Sequence, residues 1–213
     1  MPVAAEVPAF RSGAGRLCLD FIRTLRHRDS AEAVEELPGL RQLAAWVERF
    51  GPPGLEPADR EAWPDGAGGV PYDERARTLR EAVHLLIAAA RGPEGPAGCP
   101  AGARETVNTA ARSPVPAPWL DASGRLRFSA ADPVLAVLAL VARDALDLAA
   151  SPDIDRVRAC ANSGCGALFI DNSRPGRRRW CSMNTCGNLA KKSALRARTG
   201  AADTGAVAEE PGR

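Results

Sequence analysis

Along the first 150 positions apolar residues recur at helical spacing, and Gly/Pro-rich stretches separate the blocks. Leu17, Phe21 and Leu25 lie four apart and predict a first helix over 15–28. Leu40, Leu43 and Val47 predict a second over 38–50, stopped by Gly51-Pro52-Pro53. Residues 51–71 read as loop. Leu79, Val83, Leu86, Ile87 and Ala90 share one face of a third helix over 73–91, and 104–112 reads as a short fourth after a Gly/Pro-rich connection. Trp119-Leu120, the turn Asp121–Gly124, then Leu126 and Phe128 predict a hairpin. Asp132-Pro133 reads as a helix start, with Asp as cap and Pro at the first helical position. From Val134 to Ala149 almost every uncharged residue is apolar, which predicts a central core helix closed by Ser151-Pro152-Asp153.

Beyond that break the chain changes character. Residues 1–150 hold 17 Arg and 20 acidic residues, whereas residues 151–200 hold ten Lys+Arg against three acids, within an overall formal charge of +2. A weakly acidic body with a strongly basic end points to a polyanionic partner for that end. The longest apolar run, Val134–Ala142, is too short to span a membrane, which takes roughly 18 residues. The first residues lack the pattern of a secretory signal, so a cytoplasmic location is expected.

Four of the six cysteines fall in the basic stretch. Cys160 and Cys165 bracket four residues, Cys181 and Cys186 bracket four more, and fifteen residues separate the pairs. Paired thiols with such a spacer are the arrangement for tetrahedral thiolate ligation, and four sulfurs satisfy one structural Zn2+ without an open position. Disulfides do not suit a reducing compartment, and an iron–sulfur cluster is the competing metal. Cys18 reads as core and Cys99 as a tolerated surface thiol. The two histidines, His27 and His84, read as lying at helix surfaces or edges.

Between the pairs, residues 167–171 read as a strand, 172–176 as a turn, and Arg177-Arg178-Arg179-Trp180 as the returning strand of a hairpin. Phe169 and Trp180 are the expected small core beside the metal. Residues 188–198 read as a helix on which Lys191, Lys192, Leu195, Arg196 and Arg198 fall within about 160° of arc, with Ala190, Ala194 and Ala197 elsewhere. Seven cations thus sit on two elements, a concentrated set of phosphate-contacting donors. Arg179, beside the metal, is expected to be partly structural.

The run Cys160-x4-Cys165, Leu168–Asp171, Arg178–Met183 and Cys186-Gly187-Asn188 resembles the CGNR zinc finger. Leu17–Thr24, with Trp119 and the long helix after it, is similar to the ABATE domain that precedes such fingers. Two positions depart: Leu189 stands in place of the signature arginine, and Arg23 in place of an asparagine of the opening motif. The resemblance implies a stress-induced transcription regulator with a DNA-binding finger.

The expected architecture is α+β: a mainly helical N-terminal domain, 1–150, with a small β element, then a treble-clef-like four-cysteine zinc finger, 156–198, and a disordered tail, 199–213. Sequence-dependent DNA binding is the favoured function, with a small-molecule or protein effector at the N-terminal domain. RNA binding and a protein-interaction module are the alternatives. An enzyme is not expected, because no nucleophile–base pair, phosphate loop or open metal site is visible.

Overall fold

The computed structural model describes residues 8–28, 30–55 and 70–203, with side chains of the last helix described only through Arg196. In chain order the elements are α1 Leu17–Ile22, β1 Leu25–Arg26, β2 Val34–Glu35, α2 Leu40–Phe50, α3 Tyr72–Ala90, α4 Ala101–Arg112, β3 Ala117–Leu120, β4 Leu126–Ser129, α5 Pro133–Ala150, β5 Val157–Ala159, β6 Leu168–Ile170 and α6 Asn188–Asp203. Three antiparallel two-stranded sheets pair β1 with β2, β3 with β4 and β5 with β6. The α+β expectation holds, with helix dominating.

Helix α5 is the centre of the body. Asp132 caps it by accepting from the Leu135 N–H at 2.9 Å, as the sequence predicts. The same carboxylate accepts from the Tyr72 hydroxyl at 2.6 Å, so one side chain fixes the starts of α3 and α5 together. Val134, Val137, Val141, Ala142, Ala145 and Leu148 are buried, and α1, α2, α3 and α4 pack around them. Phe21 of α1 meets Trp46 of α2 at 4.9 Å between ring centroids.

The first helix is far shorter than its periodicity predicts. It stops at Ile22, where the Thr24 hydroxyl donates to the Phe21 carbonyl at 2.8 Å, and Leu25-Arg26 turn into a strand against Val34-Glu35. Side-chain capture of the last carbonyl competes with a further helical turn, and hydrophobic spacing carries no sign of it. Helix α1 has no cap of its own: Asp144 on α5 accepts from the Cys18 N–H at 2.8 Å and pairs with Arg16 at 2.7 Å. Cys18 is fully buried as expected. Cys99 is buried too, correcting the surface reading: the Gly/Pro stretch before it folds as a 3-10 turn, Gly95–Gly98, that tucks the thiol beneath the body.

The C-terminal module does not stand apart. Ile170 of β6 donates its N–H to the Ala14 carbonyl at 2.8 Å, and Phe169, completely buried, belongs to a hydrophobic core continuous with that of the body. A Cβ at Gly15, where φ is +96°, would come within 3.2 Å of the Ile170 side chain. The close approach and the left-handed backbone explain the glycine there. Helix α6 continues to Asp203, so residues 199–203 of the expected tail are helical, and 204–213 lie outside the described residues, as does 56–69 of the expected loop.

Candidate metal centre and basic surface

Cys160 and Cys165 lie on the loop joining β5 to β6. The Cys160 N–H donates to the Ala167 carbonyl at 2.9 Å and the Cys165 N–H to that of Asn162, also at 2.9 Å, closing a knuckle that turns both sulfurs inward. Cys181 precedes one π-helical turn, Met183–Gly187, and Cys186 lies within it, with the Gly187 N–H reaching the Ser182 carbonyl at 3.0 Å. The wide turn carries Cys186 back over Cys181, and it is wound tightly. A Cβ at Gly187 would meet the Met183 sulfur at 2.9 Å and the Trp180 ring at 3.3 Å, so a larger residue there would have to displace the flexible Met183 side chain.

The four sulfurs lie within 4.8 Å of one another, with Cys165–Cys181 and Cys181–Cys186 both at 3.7 Å. A tetrahedron with metal–sulfur bonds of about 2.3 Å has edges of about 3.8 Å, so these separations are those of a four-thiolate zinc site. Packed so closely, the thiols cannot ionise independently. The hydrogen bond with Cys181 draws the Cys165 thiol down, while the same bond and burial push Cys181 up. A divalent cation removes that conflict by neutralising the sulfurs together. Outer contacts orient the set: the Cys181 N–H points to the Cys160 sulfur at 3.5 Å and the Asn162 amide to the Cys186 sulfur at 3.6 Å. Zinc here is structural: all four positions are protein ligands, leaving none for a substrate.

The segment 177–180 is not the second strand of a hairpin. Strand β6 pairs with β5, Val157 opposite Ile170, and the arginine run crosses back as a loop held by Ala161 N–H to the Arg179 carbonyl at 2.8 Å. Strand β5 was missed because it is only three residues long and follows directly on the turn at Pro152–Arg156. The three arginines divide. Arg178 folds inward, 4.5 Å above the Phe169 ring, and donates from Nε to the Trp180 carbonyl at 2.9 Å and from Nη2 to that of Cys181. Its backbone N–H reaches the Asp171 carboxylate at 2.8 Å, which the Ser173 hydroxyl also contacts, holding that carboxyl below its usual range. Arg178, rather than Arg179, is the structural member. Arg177 and Arg179 are exposed, Arg179 resting 5.0 Å from the Trp180 ring.

On α6, Lys191, Lys192 and Arg196 are exposed, and so is every residue between them. The Ala194 side is therefore open as well, and α6 meets the finger chiefly at the turn that precedes it. The Arg198 side chain lies outside the described residues. Of the two histidines, His27 does not sit on a helix: it occupies a left-handed turn (φ +52°) and its Nδ1 meets the Gly164 carbonyl of the first knuckle.

A helical body packed against a basic module that holds a buried four-cysteine centre defines a zinc-finger protein. Residues 15–152 match the ABATE family, described as "Putative stress-induced transcription regulator", and residues 156–199 match the CGNR zinc finger. The chain belongs to the ABATE family and carries the CGNR finger after it. None of the curated proteins matches it. Among the described residues no helix is long and apolar enough to cross a membrane.

Proposed function

We propose that this protein binds duplex DNA through its zinc finger to control transcription, with the helical body as the sensing half. The observation that carries the reading is the group Arg177, Arg179, Lys191 and Lys192: exposed, on loop and helix set by one metal centre, and without an ion-pair partner among the described residues. Unpaired cations on a fixed frame can meet phosphates without first breaking an internal salt bridge. Helix α6 is exposed at every residue from Lys191 to Arg196, which leaves it accessible to a groove. With all four sulfurs given to the metal, the centre serves this binding role by holding the loop and helix in place.

If about five cations neutralise phosphates, log affinity against log salt falls with a slope near −4 to −5. The variant Arg177/Arg179/Lys192→Ala flattens the slope to about −2, losing about one unit per phosphate contact. The measurement is a salt titration on duplex DNA with structured RNA as competitor, with zinc content and circular dichroism checked. Preference for the RNA makes it an RNA-binding protein. Unchanged affinity in a folded, metallated variant overturns the nucleic-acid reading and favours protein contact through Met183 and Leu189, which are exposed on the same module.

A further inference from the structure

Between the α1–β1 turn and the first cysteine knuckle is a small cleft lined by Arg11, Arg23, Arg26 and Arg28 from the body and Gly166 from the finger. Its enclosed space is about 10 Å³, room for one water-sized group. Three guanidinium nitrogens of these residues, Arg23 Nε, Arg26 Nε and Arg28 Nη2, are buried with no hydrogen-bond partner. Arg23 itself is 5 % exposed. Buried N–H groups are almost always satisfied, and all three of these residues line the one cleft.

Arg23 pairs with Asp20 at 3.2 Å, Arg26 with Glu36 at 3.2 Å, and Arg28 with Glu81. Glu81 also meets Arg80, which is balanced in turn by Glu35. Arg11 makes no ion pair among the described residues, and Cys165 of the metal centre completes the finger side of the lining. Guanidinium groups only donate, and a single water accepts from at most two of them, whereas an oxyanion accepts from several.

We infer that this cleft binds a small oxyanion, the carboxylate or phosphate group of a low-molecular-weight effector. It rests on reading the helical body as the sensing half. The deepest oxygen lodges among Arg23, Arg26 and Arg28, and the rest of the molecule lies at the mouth, where the partly exposed Arg11 and Arg26 move to admit it. Arg23, the departure from the opening motif of the resembled domain, supplies the most deeply buried of these donors. The walls come from both halves of the chain, and His27 already ties the turn to Gly164. A bound anion therefore braces the knuckle against the body, and by linkage it alters DNA affinity by the same factor that DNA alters its own.

The test uses the full-length, zinc-loaded protein, titrated with inorganic phosphate and separately with acetate at ionic strength held constant with chloride. Amide shifts are followed by NMR in wild type, in the Arg177/Arg179/Lys192→Ala variant that silences the finger surface, and in Arg11→Ala/Arg26→Gln. Saturable shifts at His27, Gly164, Gly166 and Ala167 are expected in the first two, with affinity at least about tenfold weaker in the third. The tighter probe tells carboxylate from phosphate. Should Arg26→Gln disturb folding, Arg11→Ala alone, which breaks no ion pair, is expected to weaken binding about threefold. Absence of saturable shifts with both probes, or undiminished binding in a natively folded Arg11 variant, overturns the site. Because no DNA is present, this result stands independently of whether the finger binds nucleic acid.

Discussion

Of the three consecutive arginines, Arg178 turns inward onto Phe169 and the carbonyls of Trp180 and Cys181, while Arg177 and Arg179 face solvent. Replacing Arg178 with Ala removes charge-assisted bonds to two carbonyls beside the metal and is expected to destabilise the finger by about 2 kcal/mol. Replacing Arg177 leaves stability within about 0.5 kcal/mol and acts on nucleic acid alone. Equilibrium unfolding monitored at Trp180, with zinc release followed by a chromogenic chelator, separates the two. Equal effects would show that Arg178 is no more structural than its neighbour. The four metal ligands were legible in the sequence because spacing alone brings thiols together. The division among the arginines was not, because identical residues in a row differ only in what the chain beneath them does. Asp171 and Ser173 decide it by fixing the Arg178 backbone.

At the scale of elements, the sequence foretold α2 to α5 within a few residues, since each has a sustained apolar face, a cap or a Gly/Pro stop. It failed where elements are two or three residues long, at β1, β2 and β5, whose pairing is decided by partners distant in the chain. One such partner is Arg80. It sits on the core side of α3, 2 % exposed, and grips Glu35 of β2 with both ends of its fork at 2.7 and 2.6 Å. A buried arginine on an apolar stripe gives no periodic signal of its own. Burial works against the Glu35 carboxylate, but the Arg80 bond prevails and holds its pKa below the ordinary carboxylate value. A depressed folded pKa contributes stability above the unfolded value, near ~4.3, and loses it as pH falls through the folded one. Glu35→Gln is therefore expected to cost about 1–2 kcal/mol at pH 7, moderated by partial exposure of Glu35. The gap from wild type closes on acidification. Urea unfolding of both proteins at pH 7 and pH 3 measures it, and a gap that persists at pH 3 contradicts the assignment.

At the scale of the whole molecule, Ile170 and Phe169 make the finger part of the body's wall rather than a pendant. Withdrawing zinc is thus expected to lower the melting transition of the buried Trp46 in α2, far along the chain from the cysteines, as well as that of Trp180. Metal-dependent folding is here shared with a core that includes both. Differential scanning calorimetry with and without a chelator, alongside Cys165→Ser, tests this. An unshifted body transition would mean that the two halves fold independently. A truncation at Ala150 is likewise expected to melt at lower temperature and with less cooperativity, because it uncovers the surface that β6 shields. The same contact constrains the order of synthesis. The Ala14 carbonyl leaves the ribosome more than 150 residues before its hydrogen-bond partner Ile170. Until then the nascent body stays unsealed and open to proteases. The four-thiolate site is complete only once Cys186 has been made, so a shortage of zinc is expected to leave the whole chain, and not the finger alone, exposed to degradation.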